Sequence, residues 1–212
     1  MRTKTLEQNT AQDLAGLQVD QLQKLRNGNM TFEQVKWFNN LSYEQRQVLM
    51  GKQIEKEMIL RIISGSEELK LDAVDGNQTI YNSKGVFTSI DSDFKNYGAN
   101  TTGSATKETN VDVYEMVKDA TFAQMFGSLG NDLDKLCLTQ HQILNFISKH
   151  KNWLRSDGYA TFFLFKSGEN FFVANVYFDD DGSLGVDVFR FELDHVWDTK
   201  YRHRVVLPQL NA

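Results

Sequence analysis

Residues 159–193, YATFFLFKSGENFFVANVYFDDDGSLGVDVFRFEL, restrict the fold more than any other stretch. Three runs rich in Phe, Val and Tyr are separated by Ser167-Gly168-Glu169-Asn170 and by Asp179-Asp180-Asp181-Gly182-Ser183. Aromatic and β-branched side chains suit a pleated surface, and Asx-Gly pairs supply the positive φ of tight hairpins. The pattern predicts a three-stranded antiparallel meander over 159–166, 171–178 and 184–193. The middle run is apolar at both parities. Phe171, Val173 and Tyr177 point one way; Phe172, Ala174, Val176 and Phe178 point the other. Such a strand needs cover on both faces, from elsewhere in the chain or from a partner. The third run changes phase between Val188 and Phe189, which predicts a bulge there.

The rest of the chain reads as helices with a few strands. Thr31-Phe32-Glu33-Gln34, Ser42-Tyr43-Glu44-Gln45 and Thr139-Gln140-His141-Gln142 have the spacing of capping boxes. Helices are expected over 11–26, ended by Asn27-Gly28-Asn29, then after Thr31, burying Phe32, Val35 and Phe38. A long helix follows from Ser42 to about Ile63, and a short one spans Ala120 to Leu129. The helix from Thr139 to about Leu154 carries Ile143, Leu144, Phe146, Ile147 and Leu154 on one face, the natural cover for the sheet. LKLDAV, 111–117 and 201–207 read as strands, the last stopped by Pro208, while 78–90 fits helix and strand equally. Residues 91–110 are polar and read as a long surface loop anchored by Phe94 and Tyr97. The fold class is α+β: N-terminal helices followed by an antiparallel β-meander with helices packed on it. The division is a helical segment, 1–63, and an α+β domain, 64–212, with a soft boundary at 64–68.

Charge and motif content narrow the function classes. A net charge of −5 argues against a chain whose main task is gripping nucleic acid or an anionic membrane. The single cysteine, Cys137, excludes an internal disulfide and a cysteine-based zinc cluster. The polar N-terminus has no secretory signal pattern, and no apolar run reaches transmembrane length, so a cytoplasmic protein is expected. Phosphate-loop, dinucleotide, HExxH and GxSxG patterns are absent, and no cofactor is expected.

Several groupings are candidates for chemistry. Asp194, His195 and Asp198 have the composition of an acid-oriented imidazole for general-base work, although neighbours on a strand face opposite ways. Lys149, Lys151, Arg155, Arg202, His203 and Arg204, with Trp153, Tyr159 and Tyr201, offer charge and stacking for a single-stranded nucleic acid. The two N-terminal helices have the outline of a helix-turn-helix, with Tyr43, Gln45, Arg46 and Gln47 opening the second helix. Asp179, Asp180 and Asp181 would attract a hard cation, but a solvated hairpin turn accounts for them. Cys137 and His141 are four apart, yet the cap at Thr139 leaves Cys137 outside the helix. On the helical wheel His141 falls opposite the apolar stripe and should be exposed, while His150 falls on the stripe.

The blocks TKETNVDVYEMVKDATFAQMFGSLG, LCLTQHQILNFISKHKNWLRSDGYATFFLFK and YRHRVVLPQL resemble a family of uncharacterised bacterial proteins over roughly residues 31–212. The resemblance implies a bacterial cytosolic protein whose N-terminal helices belong with the mixed portion, and it brings no activity or catalytic residue. The reading from the residues is a non-enzymatic protein that binds another protein, or itself, through its aromatic-rich sheet and N-terminal helices. The alternatives are a nucleic-acid-associated regulator, and a hydrolase or nuclease using His195 with Asp194 or Asp198.

Overall fold

The computed structural model describes residues 19, 22–29, 31–42, 45, 58–157 and 160–209. The chain divides into two compact units, 1–55 and 56–212. In the first, residues 22–26 are helical and Gly28, at φ 72°, lets the chain turn out of that helix. Helix α1 (Phe32–Asn40) opens with the expected box: Gln34 N donates to Thr31 Oγ1 and Thr31 N to Gln34 Oε1. The same reciprocal pair joins Ser42 and Gln45. Phe32, expected to be buried, is 70% exposed. Most of the 11–26 helix and of the helix expected after Ser42, with Tyr43, Arg46 and Gln47, lies outside the described residues.

The second unit is built on an eight-stranded, mostly antiparallel mixed sheet with helices on it. Its strands are β1 (Leu60–Ile62), β2 (Leu69–Leu71), β3 (Ser89–Ile90), β4 (Thr109–Met116), β5 (Thr161–Ser167), β6 (Asn170–Phe178), β7 (Leu184–Arg190) and β8 (Arg204–Pro208). The order is β1-β4-β8-β5-β6-β7-β3, with β2 also paired to β4. β5–β6–β7 is the predicted meander, turned by Gly168 at φ 60° and Gly182 at φ 81°. The segment 60–62, expected to end a helix, instead pairs with β4, Leu60 opposite Met116. A strand partner for β4 outweighs the weak local helical signal of those residues.

The expected bulge at Val188–Phe189 is absent. β6 and β7 pair without a slip from Phe172↔Arg190 to Phe178↔Leu184. The change of phase has another cause: both faces of the sheet are buried. Leu184, Val186 and Val188 join one core with Phe163, Phe165, Phe172, Ala174 and Val206. Phe189 and Phe191 pack on a second core with Phe162, Leu164, Val173 and Val205. Each parity of β7 therefore finds apolar neighbours, and no extra residue is needed.

The first face is covered by α4 (Gln140–Lys149), as expected from its stripe. Thr139 and Gln142 form its capping box, and Ile143, Leu144, Phe146 and Ile147 are buried. His141 is largely buried rather than exposed, with its Nδ1 3.1 Å from Asp75 Oδ1. Residues 91–110 are more than a surface loop. They contain helix α2 (Asp93–Asn96), and Phe94 and Ala99 are buried in the first core. The polar composition serves cross-links: Gln140 Nε2 donates to Thr101 O, Ser167 Oγ to Gly98 O, and Thr106 bridges Val74.

The second face is covered by α3 (Phe122–Gly127), which Thr121 and Gln124 cap reciprocally. The rest of its cover comes from topology. β7 ends two strands from β5, and β8 pairs with β5 in parallel on its far side. Residues 191–203 must therefore cross β6 and β5, and Trp197 in mid-crossing packs on Phe162 and Phe189. Backbone bonds between Trp197 and Ala120 hold the crossing down. Among the described residues no helix is long and apolar enough to cross a membrane.

Candidate functional site

Between the crossing segment and the strands lies a cleft of about 590 Å³ on the second face. The strand side of the cleft is Asn175 and Tyr177 from β6 with Asp187 from β7; the crossing side is His195, Val196, Trp197, Asp198, Tyr201 and His203. Asn175 and Asp187 are direct cross-strand partners, so their side chains emerge on one face side by side. Asn175 Nδ2 donates to Asp187 Oδ2 at 3.3 Å. Asn175 is 8% exposed, and its Oδ1 has no hydrogen-bond partner. The same is true of the indole Nε1 of Trp197. Buried polar atoms are nearly always partnered, so two orphans lining one cleft are uncommon.

The charge state of the cleft follows from its surroundings. Burial pushes the Asp187 carboxyl above its usual range; the Asn175 bond opposes this, and the charges of Asp91 and Asp179 add to it. Tyr177 is raised mainly by burial and then by Asp187. Its ring lies over Gly185, its cross-strand partner, where any side chain would collide with it. His203 is stacked on Phe162 with centroids 4.9 Å apart, and burial pulls it down to about 4 although the Ala160 backbone bonds to it. It is neutral at physiological pH. His195 is exposed and meets the Trp197 ring edge-on at 4.7 Å.

The sequence-derived candidates divide unevenly over this geometry. His195 and Asp198 both line the cleft, whereas Asp194 is exposed and does not. Asp198 is committed to the turn that follows it: Lys200 N donates to Oδ1, and Lys200 Nζ pairs with Oδ2 at 2.7 Å. Among the described residues His195 makes no hydrogen bond or ion pair to Asp194 or Asp198, although it shares the cleft with Asp198. His203, expected on a basic patch, is inside the cleft. The cations of that patch have intramolecular partners: Lys149 bonds Asp72, Lys151 sits over Phe178, and Arg155 bonds Asp157. Arg202 bonds Glu115, and Arg204 Nη1 donates to the carbonyls of Trp153 and Leu154. A phosphate backbone would have to displace these contacts. Cys137 lies elsewhere, its thiol pushed up to about 12 by burial and then by Asp134, which leaves it a poor nucleophile. The 179–183 carboxylates cap their own hairpin, Asp181 Oδ1 accepting from Ser183 N.

Sequence reasoning passed over Asn175, Tyr177 and Asp187. The available signal was a lone Asn in FFVANVYF and a lone Asp in GVDVF, polar residues at positions where each strand is otherwise apolar. Set against known proteins, the chain matches no family model, no curated sequence and no solved structure.

Proposed function

We propose that this chain is a non-catalytic recognition module that takes hold of a partner protein at the cleft of Asn175, Asp187 and Trp197. The observation that carries the reading is the pair of buried, unpartnered hydrogen-bonding atoms, Asn175 Oδ1 and Trp197 Nε1, in an open cleft. Leaving such atoms unmet costs stability that an incoming group can recover. The expected contact surface thereby moves. Both faces of the sheet are filled by the chain's own helices and crossing segment, so the sheet no longer needs a partner for cover. The crossing segment instead exposes Val196 (57%) on the cleft rim and Leu193 (38%) nearby, an apolar margin suited to a protein surface. A catalytic reading has less support, because the imidazoles pack against aromatic rings and Asp198 serves its own turn.

The test uses a photo-crosslinking amino acid at position 196, with position 84 on the other side of the sheet as control. The protein captured only from position 196 is then purified and its affinity measured directly. Val196→Asn is expected to weaken that complex roughly tenfold, a loss of about 1.4 kcal/mol. Equal capture from both positions, or an unchanged affinity in the variant, overturns the reading.

A further inference from the structure

The recognition reading leaves open which group enters the cleft. Two acceptors stand on its strand side beside the Tyr177 hydroxyl. Asn175 Oδ1 is unpartnered on a residue more than nine-tenths buried, and the Asp187 carboxylate stands opposite it on the next strand. Asn175 directs its own N–H to Asp187, so the amide oxygen is the end left for a ligand. Asp91 and Asp179 act electrostatically on Asp187, while Asp198 on the other wall is already paired with Lys200. Among the described residues Glu115 takes Arg61 and Arg202, and Asp72 takes Lys149, whereas the buried Asp112 has the Ser64 hydroxyl. Asp187 has the Asn175 amide and the Tyr177 hydroxyl in place of a cation. The remaining walls are the rings of Tyr177, Trp197 and Tyr201. Carboxylate and aromatic faces together favour a cation, and a neutral imidazole at His203 does not repel one.

We infer that the cleft receives an N–H-bearing organic cation, the ammonium or guanidinium end of a lysine or arginine side chain on the partner, with Asp187 and Asn175 Oδ1 as its acceptors. This rests on the recognition reading above. The N–H is required by Asn175 Oδ1, since a quaternary ammonium satisfies the charge and the rings but leaves the amide oxygen unmet; the Trp197 indole N–H, a donor that no cation can meet, is left for a carbonyl of the polypeptide that delivers the side chain. The chain's net charge of −5 suits a basic partner surface, and the exposed Val196 on the rim suits a side chain delivered on a polypeptide rather than a free amine.

The experiment is a titration of the full chain followed by nitrogen NMR at the Trp197 indole and the Asn175 side-chain amide. The probes are n-butylammonium, methylguanidinium, tetramethylammonium, n-butanol and butyrate, with a blocked Leu-Lys-Leu peptide as the polypeptide source. Butylammonium and methylguanidinium are expected to shift both signals saturably. Asp187→Asn, with the rest of its spectrum unchanged, is expected to weaken them on the order of a hundredfold. The peptide is expected to bind roughly tenfold tighter than butylammonium and to lose that gain in Val196→Asn. Tetramethylammonium binding as well as butylammonium overturns the role of Asn175. Butanol or butyrate binding in place of the cations overturns the cation and leaves the cleft as the contact site. Equal affinity for peptide and free amine overturns the side-chain source. Silence of both signals with every probe overturns the inference, while the crosslink at position 196 reports on the recognition reading independently.

Discussion

Gly185→Ala is the substitution whose effect the geometry specifies most sharply. Gly185 has an ordinary strand backbone, so Ala is not strained by φ. A Cβ built there falls 2.5 Å from Tyr177 Cε2 and 2.6 Å from Tyr177 Oη, inside any allowed contact. The ring must move off the strand pair. Overpacking of this kind costs about 1–3 kcal/mol, and the Tyr177–Ser89 hydrogen bond given up with it is worth about 1 kcal/mol. Ala recovers about 0.5–1 kcal/mol over Gly in a strand. The sum is a loss of about 2 kcal/mol, or a Tm lower by roughly 4–8 °C for a unit of this size. With Tyr177→Ala as background the obstacle is gone and only the strand gain remains. Gly185→Ala is then stabilising by about 0.5–1 kcal/mol, a reversal of sign. The assay is a double-mutant cycle by denaturant unfolding of the four proteins. Gly185→Ala costing the same in both backgrounds refutes the packing of Tyr177 over Gly185, and with it the strand-side wall of the cleft.

His203 titrates near 4 in the fold against an ordinary 6.5, so the unfolded chain binds the extra proton; stability is expected to fall by roughly 2 kcal/mol from pH 6.5 to 4, less steeply in His203→Gln, by unfolding at each pH. Asp187 has the opposite sign: its raised folded-state pKa gives stability that is present below the ordinary carboxylate range and lost as pH rises through the folded pKa. Asp187→Asn should therefore be more stable than the native chain at pH 7, and a lower Tm in the variant contradicts this. Burial pulls Glu115 upward, but Arg202 and Arg61 outweigh it and hold the carboxyl below its usual range. Glu115→Gln should cost about 1–2 kcal/mol at pH 7, a cost that vanishes as pH falls through the folded pKa. Thr139→Ala removes a capping oxygen from α4 and should cost about 1 kcal/mol by denaturant melt.

Local chemistry was legible in the sequence because its causes are local. The hairpin glycines, the capping boxes at Thr31, Ser42 and Thr139 and the apolar stripe of α4 each depend on residues within a few positions of one another. The apolar parities of β6 already required two covered faces. Other features depended on partners far along the chain. Residues 60–62 became a strand because β4 was there to pair with, and the phase change in β7 became two cores because a second layer existed to receive Phe189. The order of 91–110 came from Gln140 and Ser167, distant residues that bond its backbone.

The cleft belongs to the same class. The sequence alone determined that Asn175 and Asp187 would be polar intrusions in apolar strands, and that β6 and β7 would be neighbours. Only the tertiary structure decided that they stand directly opposite each other, and that the crossing from β7 to β8 forms the other wall of a cleft against them. Local propensity acts over a few residues, whereas register and crossover are set by which surfaces bury each other, and a polar pair becomes a site only where that burial stops short.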